Sequence, residues 1–61
     1  MKTLQEIAEI AGITRQAVSI AIKRGGFGKH AARKIARATG TDEIVWLYGP
    51  KEAIERMINN L

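Results

Sequence analysis

Apolar residues recur at helical spacing from the start of the chain. In the first segment the spacing i, i+3, i+4 and i+7 of one buried helix face is occupied by Leu4, Ile7, Ala8 and Ala11. Thr3 and Glu6 form the sequence of a capping box at the start of this segment. Gly12 follows the last apolar position, where a helix often ends in a left-handed conformation. The segment therefore predicts an amphipathic helix over about residues 3–11.

A second helix is predicted directly after this glycine, from residue 15 to residue 23 or 24. Thr14 can cap it, because a threonine hydroxyl accepts hydrogen bonds from the first free N–H groups of a helix. The glycine-rich stretch 25–28 then breaks the chain, and we expect Phe27 to anchor this loop against the core. The inward face of the helix is Val18, Ala21 and Ile22, with Ile13 packing just before it.

Three further helices complete the pattern. The third spans about residues 29–39, and the fourth, over residues 42–48, is expected to begin with Thr41 as its cap. The fifth is expected to start at Pro50, because proline suits the first turn of a helix. The apolar stripe of this last helix lies either in the core of the chain or on a dimer surface, and we favour the dimer surface. It consists of Ala53, Ile54, Met57, Ile58 and Leu61.

Length and composition restrict the class of protein. A chain of 61 residues accommodates one domain, so we predict a single all-α domain over residues 1–61, a small bundle of about five helices. The sequence contains no Cys and one His, which excludes disulfides and the usual zinc ligand sets. No apolar run is long enough to span a bilayer and no signal-peptide pattern follows Met1, so we expect a cytoplasmic protein.

Charge is strongly segregated along the sequence. Residues 10–41 contain seven Lys and Arg and no acidic residue, a charge of +7. The two flanking segments contain three basic and six acidic residues, a charge of −3. Such segregation creates a positive field over one region, which favours a polyanion such as nucleic acid or an anionic membrane.

The first two helices fit the requirements of a helix-turn-helix. Ala8 is small where the second helix would cross the first, and Gly12 can adopt the positive φ that the turn needs. The N-terminal end of the second helix, which enters the major groove in such motifs, is polar. Arg15 can pair with guanine and Gln16 with adenine, while Ile20 could meet a thymine methyl group. The candidate phosphate-binding residues are Thr14, Ser19, Lys23, Arg24, Lys29 and Arg33.

This segment resembles the helix-turn-helix of the lac repressor family, whose pattern is roughly Leu-x-x-(Val/Ile)-Ala-x-x-Ala-Gly-Val-Ser-x-x-Thr-Val-Ser. The resemblance covers about a third of the chain. It implies that Arg15, Gln16 and Ile20 are the base-reading positions. The family usually has arginine where this chain has Ile20, so its base preference does not carry over. The matching residues are Leu4, Ile7, Ala8, Ala11, Gly12, Ile13, Thr14, Ala17, Val18 and Ser19.

The second half of the chain resembles a different branch of the same lambda-repressor-like fold. Lac-type repressors continue into a hinge and a large sugar-binding domain, which 61 residues cannot hold, so we expect no small-molecule effector domain. Residues 34–49 instead resemble the third and fourth helices of phage Cro and repressor domains, many of which are small and dimeric. The resemblance implies a Cro-like or phage-type repressor that binds a palindromic operator in double-stranded DNA as a homodimer.

Two other kinds of function stay open. The helical surface could bind another protein, as an antitoxin or anti-repressor does. A basic chain could also lie on a membrane surface, although its apolar stripes resemble the faces of a closed core. We do not expect an enzyme, a cofactor or a metal site, because the sequence has no convergent acid, base, nucleophile or ligand set. His30 is expected at the surface, and the stretch 25–29 lacks the glycine spacing of a phosphate loop.

Overall fold

The computed structural model describes residues 2–61 and confirms the all-α prediction. Five helices account for the regular structure of these residues, and no strand occurs among them. The helices are α1 (Leu4–Ala11), α2 (Arg15–Arg24), α3 (Lys29–Thr39), α4 (Glu43–Tyr48) and α5 (Lys51–Asn59). Helix α1 packs against α2 and α3, α4 packs on α3, and α5 closes the bundle against α2 and α4.

The core takes one large side chain from each helix. Burial of an aliphatic or aromatic side chain of this size stabilises the fold by about 1.5–3 kcal/mol. Because every helix contributes such a side chain, all five share one apolar core. The largest fully buried side chains are Ile7, Val18, Ile35, Trp46 and Ile54.

Phe27 anchors the loop between α2 and α3, as predicted. Its buried ring meets the ring of Trp46 edge to face, with the ring centroids 5.8 Å apart and an interplanar angle of 72°. The backbone N–H of Phe27 also donates a hydrogen bond to the carbonyl oxygen of Trp46, at 2.7 Å. The loop is therefore tied to α4 by both side chain and backbone.

The prediction that Thr41 caps the fourth helix is wrong by one residue. Asp42 is the N-cap, and its carboxylate accepts the N–H of Ile44 at 2.9 Å. The Thr41 hydroxyl lies 2.7 Å from the hydroxyl of Thr39 and accepts the indole N–H of Trp46, also at 2.7 Å. Because Asp42 is the cap, α4 begins at Glu43, one residue later than expected.

The fifth helix is shorter than predicted, and its apolar stripe is partly core. Pro50 is the N-cap of α5 and precedes its first turn, and Leu61 lies beyond the end of the helix. Ile54 and Ile58 are buried within the chain, so the preference for a dimer surface is wrong for these two residues. The half-buried remainder of the stripe borders a shallow depression: Ala53, Met57 and Leu61.

The capping box predicted at the start of α1 is present. The N–H of Glu6 donates to the Thr3 hydroxyl at 3.2 Å, and the N–H of Thr3 donates to the Glu6 carboxylate at 2.8 Å. The hydrogen bond from the Thr3 backbone is the main cause that lowers the pKa of Glu6 below its ordinary value of 4.5. Its contribution to stability is therefore present above pH 4.5 and is lost as the pH falls through the lower pKa of the folded chain.

Candidate nucleic-acid interface

A tight turn over residues 12–14 joins α1 to α2. Gly12 adopts φ 71° and ψ 31°, the left-handed conformation predicted for it. The N–H groups of Gly12 and Ile13 both return to the carbonyl of Ala8, the second at 3.0 Å. Ala8 itself is 1% exposed, so its small side chain lies inside the bundle that α1 forms with α2 and α3. Turn and packing together give α2 one orientation relative to α1.

The start of α2 is ordered by its own cap. The hydroxyl oxygen of Thr14 accepts the N–H of Ala17 at 3.0 Å, which confirms the predicted N-cap. The first turn of α2 contains no acidic residue. The positive end of the helix dipole and the side chain of Arg15 are therefore not neutralised within this helix.

One face of α2 is presented to solvent along its length. Val18, Ala21 and Ile22 are buried as predicted and hold the helix to the bundle. The opposite face has no acidic side chain, and it places the three candidate base-reading residues together with two cations. The exposed residues of this face are Arg15, Gln16, Ile20, Lys23 and Arg24.

Two candidate phosphate-binding residues of α2, Ser19 and Lys23, line a shallow groove where α2 packs against α5. Ser19 is half-buried there and Lys23 is exposed. Lys51 and Glu55 of α5 line the same groove. Lys51 was not predicted as a site residue, because only the packing of α5 on α2 brings it beside Lys23.

The N-terminus of α3 borders the other flank of α2. Gly28 is its N-cap and supplies no side-chain hydrogen bond, and Lys29 and His30 are exposed. Arg33, one turn further along α3, forms an ion pair that the sequence pattern did not predict. Its Nε lies 3.9 Å from Oε1 of Glu43, an ion pair that is half exposed and therefore weak.

Lys34 has a contact that the sequence pattern did not indicate. Its ammonium nitrogen lies 3.6 Å from the position that a β-carbon on Gly12 would occupy. The last turn of α1 has no basic residue of its own, and carbonyl groups at a helix C-terminus favour a cation. Lys34, an exposed residue of α3, therefore places its ammonium group beside the turn that joins α1 to α2.

Among residues 2–61, no group of three His, Cys, Asp or Glu side chains is placed to hold a metal ion. No polar or charged side chain is buried in that part of the chain. None of its helices has the length and apolar character needed to cross a membrane.

Comparison with known proteins returned no match to a family model, a curated protein or a solved structure. The resemblances to the lac repressor family and to phage Cro domains therefore stay predictions.

Proposed function

We propose that the protein binds double-stranded DNA at specific sequences and regulates transcription, as a Cro-like or phage-type repressor. The observation that carries the proposal is the exposed, acid-free face of α2, which begins with Arg15 and Gln16 directly after the turn at Gly12. An α-helix fits the major groove of B-DNA. Occupancy of an operator would then exclude polymerase from the promoter.

The residues at the start of α2 suit base recognition. The guanidinium of Arg15 can donate two hydrogen bonds to O6 and N7 of guanine, and the amide of Gln16 can pair with N6 and N7 of adenine. Both side chains are exposed and neither takes part in an ion pair or a hydrogen bond within residues 2–61. They are therefore free to bind an external partner without first breaking a contact in the folded chain.

Phosphate contacts would come from both flanks of α2. Lys23 and Arg24 lie on its last turn, and Lys29 lies at the start of α3. The Thr14 hydroxyl uses its oxygen to accept the Ala17 N–H, which leaves its proton to donate to a phosphate oxygen. The backbone N–H groups at the start of α3 are not covered by a capping side chain and suit the same role.

We further propose that the DNA-bound form is a homodimer. One module of this size buries too little surface for high specificity, and two-fold dimers read palindromic sites. The exposed apolar residues of α4, Ile44 and Tyr48, are 59% and 75% exposed and are the surface that we assign to the second copy. Glu43, next to Ile44 on α4, and its ion-pair partner Arg33 provide charges of both signs near this surface, whereas the exposed face of α2 has cations and no acid and would repel its own copy.

Selection of bound duplexes from a random pool tests the proposed DNA binding. We expect recovery of a palindrome, and binding that weakens with salt. Four candidate phosphate-binding cations predict a slope of log K against log salt of about −4 per bound chain. Lys29→Ala should reduce the magnitude of this slope by about 1 and leave the selected sequence unchanged.

The result that would overturn DNA binding is the absence of any salt-dependent duplex binding at low ionic strength. A partner protein that is retained after nuclease treatment would then favour the protein-interaction function. Binding to anionic liposomes without duplex binding would favour the membrane surface.

Sedimentation equilibrium tests the proposed dimer surface. We expect the double variant Ile44→Lys, Tyr48→Lys to shift the chain to the monomer, because it places like charges opposite each other in a two-fold contact. Gln5→Lys, on the exposed face of α1, is the control and should leave the association unchanged. A monomeric unmodified chain at concentrations that saturate a palindromic duplex would contradict this surface.

A further inference from the structure

A shallow apolar depression lies between α2 and the start of α3. Ile20 forms one side of it, and half-buried residues from the turn, from α2 and from α3 form its floor: Ile13, Ala17 and Ala31. The rim is polar and basic, with Arg24, Lys29 and His30. The depression thus combines an apolar floor with cations at its edge, on the same side of the molecule as the exposed face of α2.

An exposed isoleucine, Ile20, is unusual on this basic surface. Three large apolar side chains are exposed among residues 2–61, namely Ile20, Ile44 and Tyr48. Only Ile20, which is 56% exposed, stands on a helix without acidic residues and next to cations. A partner that fits both features carries dense negative charge and also presents a small apolar group at its surface.

We infer that this depression receives the 5-methyl group of a pyrimidine in the major groove, an inference that rests on the proposed DNA binding. The thymine methyl is the apolar group that an unmodified base pair presents in that groove, and 5-methylcytosine presents the same group. Phosphates on either side of the groove would meet Arg24 and Lys29, while the methyl lies against Ile20 and Ala17. The surface therefore selects for a methylated pyrimidine at one position of each half-site.

The alternative occupant is an apolar side chain of a protein partner. The observations favour DNA, because Arg24 and Lys29 have no acidic neighbour within the depression and would meet a partner of opposite charge. An acidic protein that binds here through Ile20 is an outcome of the experiment below.

The experiment measures the affinity of the unmodified chain and of Ile20→Ala for a selected duplex. Each thymine is replaced in turn by deoxyuridine, which removes the methyl group and keeps the base pair. We expect one position per half-site to lose about fourfold in affinity for the unmodified chain, the effect of one buried methyl group. Ile20→Ala should show little or no loss at that position.

Two further arms identify the source of the methyl group and control for the variant. At the sensitive position, a G·C pair carrying cytosine and the same pair carrying 5-methylcytosine are compared. A gain on methylation shows that the depression reads the methyl group on either pyrimidine, and no gain restricts the reading to thymine. Ile44→Ala removes a similarly exposed isoleucine from α4, and it should keep the fourfold sensitivity to deoxyuridine even where its overall affinity changes.

The inference is overturned if no thymine is sensitive, or if Ile20→Ala keeps the same sensitivity as the unmodified chain. Either result leaves the proposed DNA binding intact, because the duplex is still bound. Failure of the unmodified chain to bind any duplex at low salt instead overturns the proposed function and the inference together. Circular dichroism verifies that Ile20→Ala is folded, as expected for an exposed side chain.

Discussion

Replacing Gly26 with alanine is expected to lower the melting temperature by roughly 4–24 °C. A β-carbon at this position would overlap the backbone carbonyl oxygen of Leu47 and lie 3.0 Å from its carbon. Backbone atoms cannot rotate away as a flexible side chain can, so the loop and α4 must separate. That movement weakens the hydrogen bond from Phe27 to Trp46 and the contact between their rings.

The size of this effect follows from the small stability of so short a chain. Sixty-one residues imply a free energy of unfolding on the order of 3–9 kcal/mol. Overpacking of this kind costs typically 1–3 kcal/mol, and each kcal/mol shifts the melting temperature of so small a domain by about 4–8 °C. Thermal unfolding followed by circular dichroism and by the fluorescence of Trp46 measures the change.

Gly28→Ala is the matched control in the same loop. Gly28 has φ −64° and ψ 160°, which any residue adopts, and a β-carbon there would meet nothing within 4 Å. We expect its melting temperature to stay within about 5 °C of the unmodified chain, because the small cost of alanine as the N-cap of α3 is offset by the restriction of the unfolded state. Equal melting temperatures for the two variants would contradict the close approach of Gly26 to α4.

Arg15→Ala is expected to weaken binding to the selected duplex by roughly 5- to 150-fold. The estimate corresponds to the loss of about 1–3 kcal/mol for a bidentate contact with guanine. Sequence preference should relax at one base pair per half-site, and preference elsewhere in the site should persist. Arg15→Lys should not restore the preference at that base pair, because an ammonium group cannot reproduce the two parallel hydrogen bonds of a guanidinium.

Arg37→Ala separates this specific effect from the general loss of a positive charge. Arg37 is exposed in the last turn of α3, on a different helix from Arg15. Its removal should weaken binding only slightly and equally for all sequences. If Arg15→Ala, like Arg37→Ala, weakened binding equally for all sequences, Arg15 would contribute only to the positive electrostatic field and would not read a base. Quantitative selection with each variant measures both affinity and preference.

Most of the helix positions could be predicted from the sequence. Each helix is short and amphipathic, and local signals limit it: Thr14 begins α2 and Gly12 ends α1. Such signals involve neighbours in the chain, so they act before tertiary packing is considered. The prediction failed at Thr41, because Asp42 caps α4 and the Thr41 hydroxyl instead accepts the indole N–H of Trp46, five residues further along the chain. Both residues can cap a helix, and the sequence pattern did not choose between them.

The candidate interface, too, could be predicted from the sequence only in part. The exposure of Arg15, Gln16 and Ile20 follows from the helical period and the buried face of α2, both of which are visible in the sequence. The approach of Lys51 to Lys23 and the pairing of Arg33 with Glu43 join residues of different helices. They depend on how the helices pack, and periodicity within one helix does not determine that.

The sequence by itself therefore determined the all-α class, the order of the helices, the left-handed turn at Gly12 and the basic, acid-free character of the middle of the chain. The tertiary structure decided the rest: Ile54 and Ile58 lie in the core, the ammonium group of Lys34 lies beside the turn, and Ile20 borders an apolar depression. The physical reason is the range of the forces involved. Hydrogen-bonded caps and helical periodicity act over a few residues, whereas burial and charge pairing depend on which surfaces meet when the helices pack.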